Sequence, residues 1–369
     1  MDYKNISSVI RPSPFCVTSN ASIVITIALY CILLLVSLIG NCLIVAVFFM
    51  NKTLRTTTNY LMLNMAVSDL LIPTIALPWL ISVTYLSNVW LVGGTLGEIL
   101  CKVVCMAPSV SLVVSTLSMT VIAVDRFHGI FFAMKPALIS IQMRRRILVA
   151  IWIIAVAFRA HFLYGYRLVR KGENNLMCAF QWHPLSYQTK AHYITWITMF
   201  SLNIASALVL SVLYGSIVFM LNRQQRNVVV QSEVVRRRAM ENRQITFMLI
   251  TVVVLFFMIW APYHVYTFLS FLNPEYVRRS CTFLWMAYNF PLLYTITNPF
   301  IYYIFNKKYR KGFQRILCSP CAQCKNVCPS SASILHNESH LEFQLTNFTS
   351  SRISRSSRSS RILRNLLND

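Results

Sequence analysis

Seven stretches of this chain are apolar enough, and about long enough, to cross a bilayer, and that leaves few folds open. A helix spans the hydrocarbon in about 20 residues. In lipid every backbone N–H and C=O must find its partner inside the segment, so a spanning segment is a helix or part of a closed barrel. The runs are Ile23–Met50, Tyr60–Tyr85, Cys101–Val124, Ile147–Tyr164, Tyr193–Leu221, Ile245–Leu272 and Cys281–Phe305. With 56% hydrophobic and only 12% charged residues, a soluble domain is excluded. The expected fold class is an all-α membrane protein. It has a tail at 1–22, a seven-transmembrane helix bundle at 23–305, an amphipathic eighth helix at 306–317 and a disordered tail at 318–369.

Basic residues set the orientation. Lys52, Arg55, Lys135, Arg144, Arg145, Arg146, Arg223, Arg226 and Arg236 to Arg238 fall on one side, and fewer, such as Arg167, Arg170 and Lys171, on the other. The N-terminus is therefore expected outside and the C-terminus in the cytosol, at the plasma membrane. The first twenty residues lack the apolar core of a cleavable signal, so the first span is expected to act as its own. Asn5-Ile6-Ser7 and Asn20-Ala21-Ser22 are then glycan acceptors on the outer side. The net charge of +23 sits mainly at membrane-flanking loops and in the tail. There each basic side chain gains about 1 kcal/mol from anionic lipid, and no nucleic acid is implied.

Polar groups at membrane depth are costly, and they mark function or an internal network. Asp69 lies mid-span beside Asn64 and Ser68, with Ser115, Thr295 and Asn298 as oxygen donors at similar depth. Two readings stay open: a small hydrated cation, or a protonated Asp69 in a hydrogen-bond network. Asp125-Arg126-Phe127 ends the third span, either as a snorkelling pair or as a guanidinium that switches partners. Pro262 in Trp260-Ala261-Pro262 and Pro299 in Asn298-Pro299-Phe300-Ile301-Tyr302 each remove a backbone donor, so kinks are expected there. Cys101 and Cys178 both face the oxidising side and are expected to bond, and Cys16 with Cys281 is a candidate second bridge.

In the tail, Cys318, Cys321, Cys324 and Cys328 match the spacing of a bacterial ferredoxin run. Their juxtamembrane place favours S-palmitoylation of Cys318, Cys321 and Cys324 instead. Arg352, Arg355, Arg358, Arg361 and Arg364 recur among serines, where phosphorylation would reverse the local charge.

Together, Gly40-Asn41, Asp69, Cys101, Asp125-Arg126-Phe127, Trp152, Cys178, Tyr214, Trp260-Ala261-Pro262 and Asn298-Pro299-Phe300-Ile301-Tyr302 resemble rhodopsin-like G-protein-coupled receptors in order and in span. The resemblance covers about residues 23–317. It implies an outer ligand pocket, a heterotrimeric G protein at the inner end and a sodium site at Asp69 and Ser115. It also implies a switch built on Arg126, Tyr214 and Tyr302, and a tail read by arrestin and receptor kinases. The chain departs from the pattern in four places: Phe127 replaces a tyrosine, Ser206 the fifth-span proline, Ile259 a cysteine, and the fourth-span proline is missing from a region that holds Arg159 and His161. The fifth helix is expected to run straighter.

Amine receptors of this kind carry an aspartate seven residues after the third-span cysteine, and Pro108 stands there instead. No lysine lies in the seventh span, which disfavours a photopigment. Trp260 to Tyr266, Thr58-Asn59-Tyr60 and Trp90 are similar to neuropeptide receptors of the tachykinin, neuropeptide Y and RFamide group. The resemblance implies an extracellular peptide ligand, with Trp79, Pro108, Ser109, Thr198, Trp260, Tyr263, His264, Phe268 and Tyr288 as candidate pocket residues. Glu98, Glu173 and Glu275 are the acids of the outer loops, so a peptide with an acidic or neutral face fits. The alternatives are a receptor for a lipid or other apolar ligand and, more remotely, a transporter or channel. An enzyme is disfavoured, since no nucleophile–base or metal set gathers on one side.

Overall fold

A computed structural model describes residues 19–132, 135–172, 175–181, 188–226, 233–272 and 280–318. Asn5, Cys16, Cys321, Cys324, the recurring tail arginines and the side chain of Cys318 lie outside the described residues.

Helix α1 (Asn20–Met50) starts on a capping box, in which Ser19 and Ser22 exchange side-chain and backbone hydrogen bonds. Thr56 caps α2 (Thr57–Asp69) by accepting from the Asn59 N–H. The second span then widens into a π-helical turn at Ile72–Ala76, where Pro73 has no N–H to give, and resumes as α3 (Leu77–Tyr85). Helix α4 (Gly94–Phe131) runs unbroken past Pro108. Helix α5 (Ile141–Arg159), capped by Ser140, turns through Ala160 into the short α6 (His161–Gly165). Helices α7 (Gln188–Arg226) and α8 (Glu233–Leu272) are both continuous, α8 with Pro262 inside. Ser206, standing where a proline was the expectation, leaves α7 its full ladder of backbone bonds.

Six helical stretches among the described residues are long and apolar enough to cross a membrane. The seventh, Cys281–Phe305, consists of α9 (Cys281–Asn289), a 3-10 turn at Phe290–Leu293 and α10 (Tyr294–Phe305). The interruption falls at Pro291, while α10 runs helical through Pro299. Asn306 then caps α11 (Lys307–Cys318), accepting from the backbone N–H of Lys308 and Tyr309. This is the eighth helix, and its Tyr309 and Phe313 are buried.

The expected all-α fold holds, with one hairpin added. Strand β1 (Tyr166–Lys171) pairs antiparallel with β2 (Asn175–Phe180), placing Leu168 opposite Cys178. Gly172, at φ +71°, leaves β1 in a conformation that glycine adopts without strain. The hairpin is fastened at three points. Cys178 is bonded to Cys101 of α4, the Leu168 N–H donates to Glu98 at 2.9 Å, and the Trp90 N–H donates to the Leu176 carbonyl at 2.7 Å.

The core follows from which faces are covered. Helix α4 is the central pillar, buried along most of its apolar length, whereas α1, α5 and α7 turn Ile32, Leu35, Ile153, Leu208 and Val212 outward. Such a belt of exposed aliphatics suits lipid, not water. Helix α1 meets the seventh span so closely that a Cβ on Gly40 would stand 2.7 Å from Pro299 Cγ.

Candidate functional site

The centre of the bundle is a polar network around Asp69, which is fully buried. One carboxylate oxygen accepts from Asn298 Nδ2 at 2.8 Å. The other accepts from the hydroxyls of Ser111 and Ser115, each at 3.4 Å. Asn298 also donates to the Tyr294 hydroxyl at 3.3 Å, and the Ser68 and Ser115 hydroxyls lie 3.4 Å apart. Asn41 of α1 closes the group by donating to the Thr295 carbonyl at 2.9 Å. Two oxygens, Asn298 Oδ1 and Asn41 Oδ1, have no donor among the described residues.

Of the cation ligands expected from sequence, Asp69, Ser115 and Asn298 come together. Thr295 differs: its hydroxyl donates to Leu292, and its carbonyl serves Asn41. Ser111 and Tyr294 take part without having been foreseen. Each lies four residues before an identified member, Ser115 and Asn298, so helical spacing would have found both. A carboxylate, two hydroxyls and a spare amide oxygen form a hard-oxygen donor set, which fits a small cation. One turn away along α2, Trp152 Nε1 donates to Asn64 Oδ1 at 2.8 Å, and Asn64 Nδ2 to Ser118 at 3.0 Å. These two bonds lock α2, α4 and α5.

At the end of α4 far from Cys101, Arg126 Nη2 holds Asp125 at 2.8 Å. Both face a cavity of about 160 Å³, lined also by Gly129, Leu138 and, from α8, Thr246. Tyr214 of α7 is buried within electrostatic range of Arg126. Tyr302 is buried, its ring 5.6 Å from that of Tyr309. Phe127 stacks on Phe131 at 4.3 Å and is absent from the cavity wall.

Towards the disulfide end an aromatic column rises from the polar network. Phe256 packs on Tyr294 at 4.9 Å and lies 6.2 Å from Trp260. Trp260 meets Tyr263 at 5.8 Å and His264 at 6.2 Å, and Tyr263 meets Tyr288 at 5.8 Å. Four expected pocket residues, Trp260, Tyr263, His264 and Tyr288, therefore converge. Trp79 packs instead with Trp90 and Cys101, and Phe268 is exposed. Pro108 and Ser109 lie on α4, where Ser109 is buried, and Thr198 lies on α7. Beside the Cys101–Cys178 bond, Cys105 keeps a free thiol 3.6 Å from the Cys178 sulfur. Cys281 is itself disulfide-bonded, and Cys16, its expected partner, is outside the described residues.

Residues 40–302 match the family described as 7 transmembrane receptor (rhodopsin family). The chain is 27% identical over 301 residues to a QRFP-like peptide receptor of Branchiostoma floridae, covering 79% of this chain and 77% of that one. It is 27% identical over 325 residues to the substance-P receptor of Rattus norvegicus, covering 86% and 77%. It is also 27% identical over 322 residues to the RYamide receptor of Tribolium castaneum, covering 84% of each.

Proposed function

The chain belongs to the rhodopsin family of seven-transmembrane receptors, and on that premise we propose that it is a plasma-membrane receptor for an extracellular peptide, signalling through a heterotrimeric G protein. The observation that carries this is the Arg126–Asp125 pair at the mouth of a cavity between α4 and α8, at the end opposite the disulfide. A guanidinium held by its own neighbour is a latch that a partner's backbone carbonyls can win. The relatives' names speak for a peptide, and so does the aromatic chamber at the other end, which has no carboxylate for an amine among its described residues.

The N-terminus and the hairpin face outward in this reading, and α11 lies on the inner leaflet. A peptide docked on Tyr263, His264 and Tyr288 bears on Trp260, two residues before Pro262. There α8 lacks a backbone bond and bends at low cost. The column through Phe256 and Tyr294 ends on Asn298, so the same motion loads the Asp69 network. The ligand drives the change only through its higher affinity for the open state.

A sodium ion fits at Asp69, Ser111, Ser115 and Asn298, where it would supply positive charge that stabilises the closed bundle. Arrestin and receptor kinases read the serine-rich tail, palmitate on Cys318, Cys321 and Cys324 holds it to the membrane, and Asn5 and Asn20 carry glycans.

The test is guanine-nucleotide exchange on purified heterotrimers, with the receptor in lipid nanodiscs and a peptide library as stimulus. Arg126→Ala is expected to reduce exchange by at least about tenfold while the folded fraction is kept. Exchange that is the same in wild type and variant would remove the latch, and no exchange by the wild type under any stimulus would remove the receptor.

A further inference from the structure

Helix α5 ends on a cation that nothing above employs. Arg159 is 0% exposed, and its Nε, Nη1 and Nη2 all lack a hydrogen-bond partner among the described residues. Its company is aromatic. The Phe158 ring lies 5.2 Å from the guanidinium carbon, and the Tyr263 phenol is within electrostatic range. Arginine keeps its proton inside proteins, so deprotonation offers no escape from the cost of burial.

Among the described residues an internal counter-ion is equally missing. Asp69, Glu98 and Asp125 are the acids with described side chains, and each is engaged elsewhere. Asp69 accepts from Asn298 and two serines, Glu98 pairs with Lys102 and takes the Leu168 N–H, and Asp125 holds Arg126. A buried guanidinium left over in this way presents a fork of donors that matches an oxyanion with two parallel bonds. Tyr263 ties its position to the chamber, because the same phenol ring meets Trp260, His264 and Tyr288. The ring nitrogens His161 Nε2 and His264 Nε2 also have no partner among the described residues. Polar atoms without partners among the described residues, set beside aromatic rings, suit an apolar body with one charged end.

We propose that Arg159 is an anion anchor that receives a carboxylate of the ligand inside the bundle. The proposal rests on the receptor reading and narrows it. The ligand carries a free acid, and a molecule whose acid is blocked as an amide binds worse. The carboxylate comes from a peptide or from an apolar organic acid, and the arms of the test tell these apart.

The experiment uses the full chain in nanodiscs and follows thermal unfolding with a thiol-reactive dye. The probes are N-acetyl-Leu-Phe as free acid and as carboxamide, and oleate with oleamide. In wild type one acid is expected to raise Tm while its amide does not, and the effective acid names the source. Arg159→Gln is expected to erase the acid–amide difference. Arg159→Lys keeps the charge without the fork, and is expected to retain the preference with about tenfold weaker half-saturation. Without probe, Arg159→Met is expected to unfold at the wild-type temperature or above. Acid and amide acting alike, no acid acting at millimolar concentration, a difference that survives Arg159→Gln, or a lower Tm for Arg159→Met would each overturn the anchor. Nucleotide exchange by the same wild-type preparation is measured in parallel. Exchange without acid preference defeats the anchor and leaves the receptor standing, whereas acid preference without exchange does the opposite.

Discussion

The Asp69 network and the aromatic chamber lie on one continuous column of side chains, yet they leave opposite kinds of atom unused. Around Asp69 the atoms without partners among the described residues are acceptors, Asn298 Oδ1 and Asn41 Oδ1. In and beside the chamber they include donors, the Trp260 indole N–H and the Arg159 guanidinium. A surplus of oxygen beside a carboxylate calls for a cation, and a surplus of N–H among aromatic rings calls for an anion or a carbonyl. The two ends of the column are thus suited to ligands of opposite sign. The first region is otherwise saturated by its own bonds, and that distinguishes a lock from a socket.

The largest effect tests the lock. Asn298→Leu takes the 2.8 Å donor from a buried carboxylate, and stranding a buried hydrogen-bonding group costs about 1–3 kcal/mol, more when the group is charged. The variant is expected to fail thermal-stability and surface-expression assays that the wild type passes. Adding Asp69→Leu should recover much of the loss, since it removes the stranded group as well. Gly40→Val comes next. Its Cβ would meet Pro299 at 2.7 Å, and overpacking of this kind costs about 1–3 kcal/mol, read as a lower Tm.

Two tryptophans then sharpen the contrast. Trp152→Phe deletes the 2.8 Å bond to Asn64 Oδ1 and is expected to cost about 1–2 kcal/mol in thermal unfolding. A smaller effect belongs to the cation: exchanging sodium for choline should lower the wild-type stability by about 1 kcal/mol and leave Asp69→Asn unmoved. Trp260→Phe removes an N–H that has no partner among the described residues, so its expected cost is about 0–1 kcal/mol, the smallest of the set. A larger loss for Trp260→Phe than for Trp152→Phe would erase the distinction between lock and socket.

What sequence made legible was whatever lipid enforces. The apolar runs, Asp69 with Asn298, the Asp125-Arg126 pair and the amphipathic stretch around Tyr309 and Phe313 all stand where they were expected. Side-chain direction was less legible wherever a helix changes its winding. The π turn at Ile72–Ala76 takes in an extra residue, which rotates everything beyond it by about 100°. Trp79 follows that turn, and it packs with Trp90 and Cys101 apart from the Trp260 column. The seventh span is also interrupted at Pro291, because in Phe290-Pro291-Leu292-Leu293 the chain tightens into a 3-10 turn before α10 starts. The hairpin escaped notice because two six-residue strands are too short for a periodic signal and depend on the anchoring of Cys178 for their place. Phe268 reads as a buried aromatic by type alone, and the structure leaves it exposed.

The three fastenings of the hairpin have a consequence for arrival kinetics. A covering segment that must first become ordered adds about 0.5–1.5 kcal/mol for each side chain it immobilises, and it slows capture when it has to move. Here the rim is already set by one covalent bond, one backbone hydrogen bond and one hydrogen bond from backbone to the Glu98 carboxylate. A visitor therefore meets a fixed doorway, and its admission depends on its own shape and on how easily it sheds water.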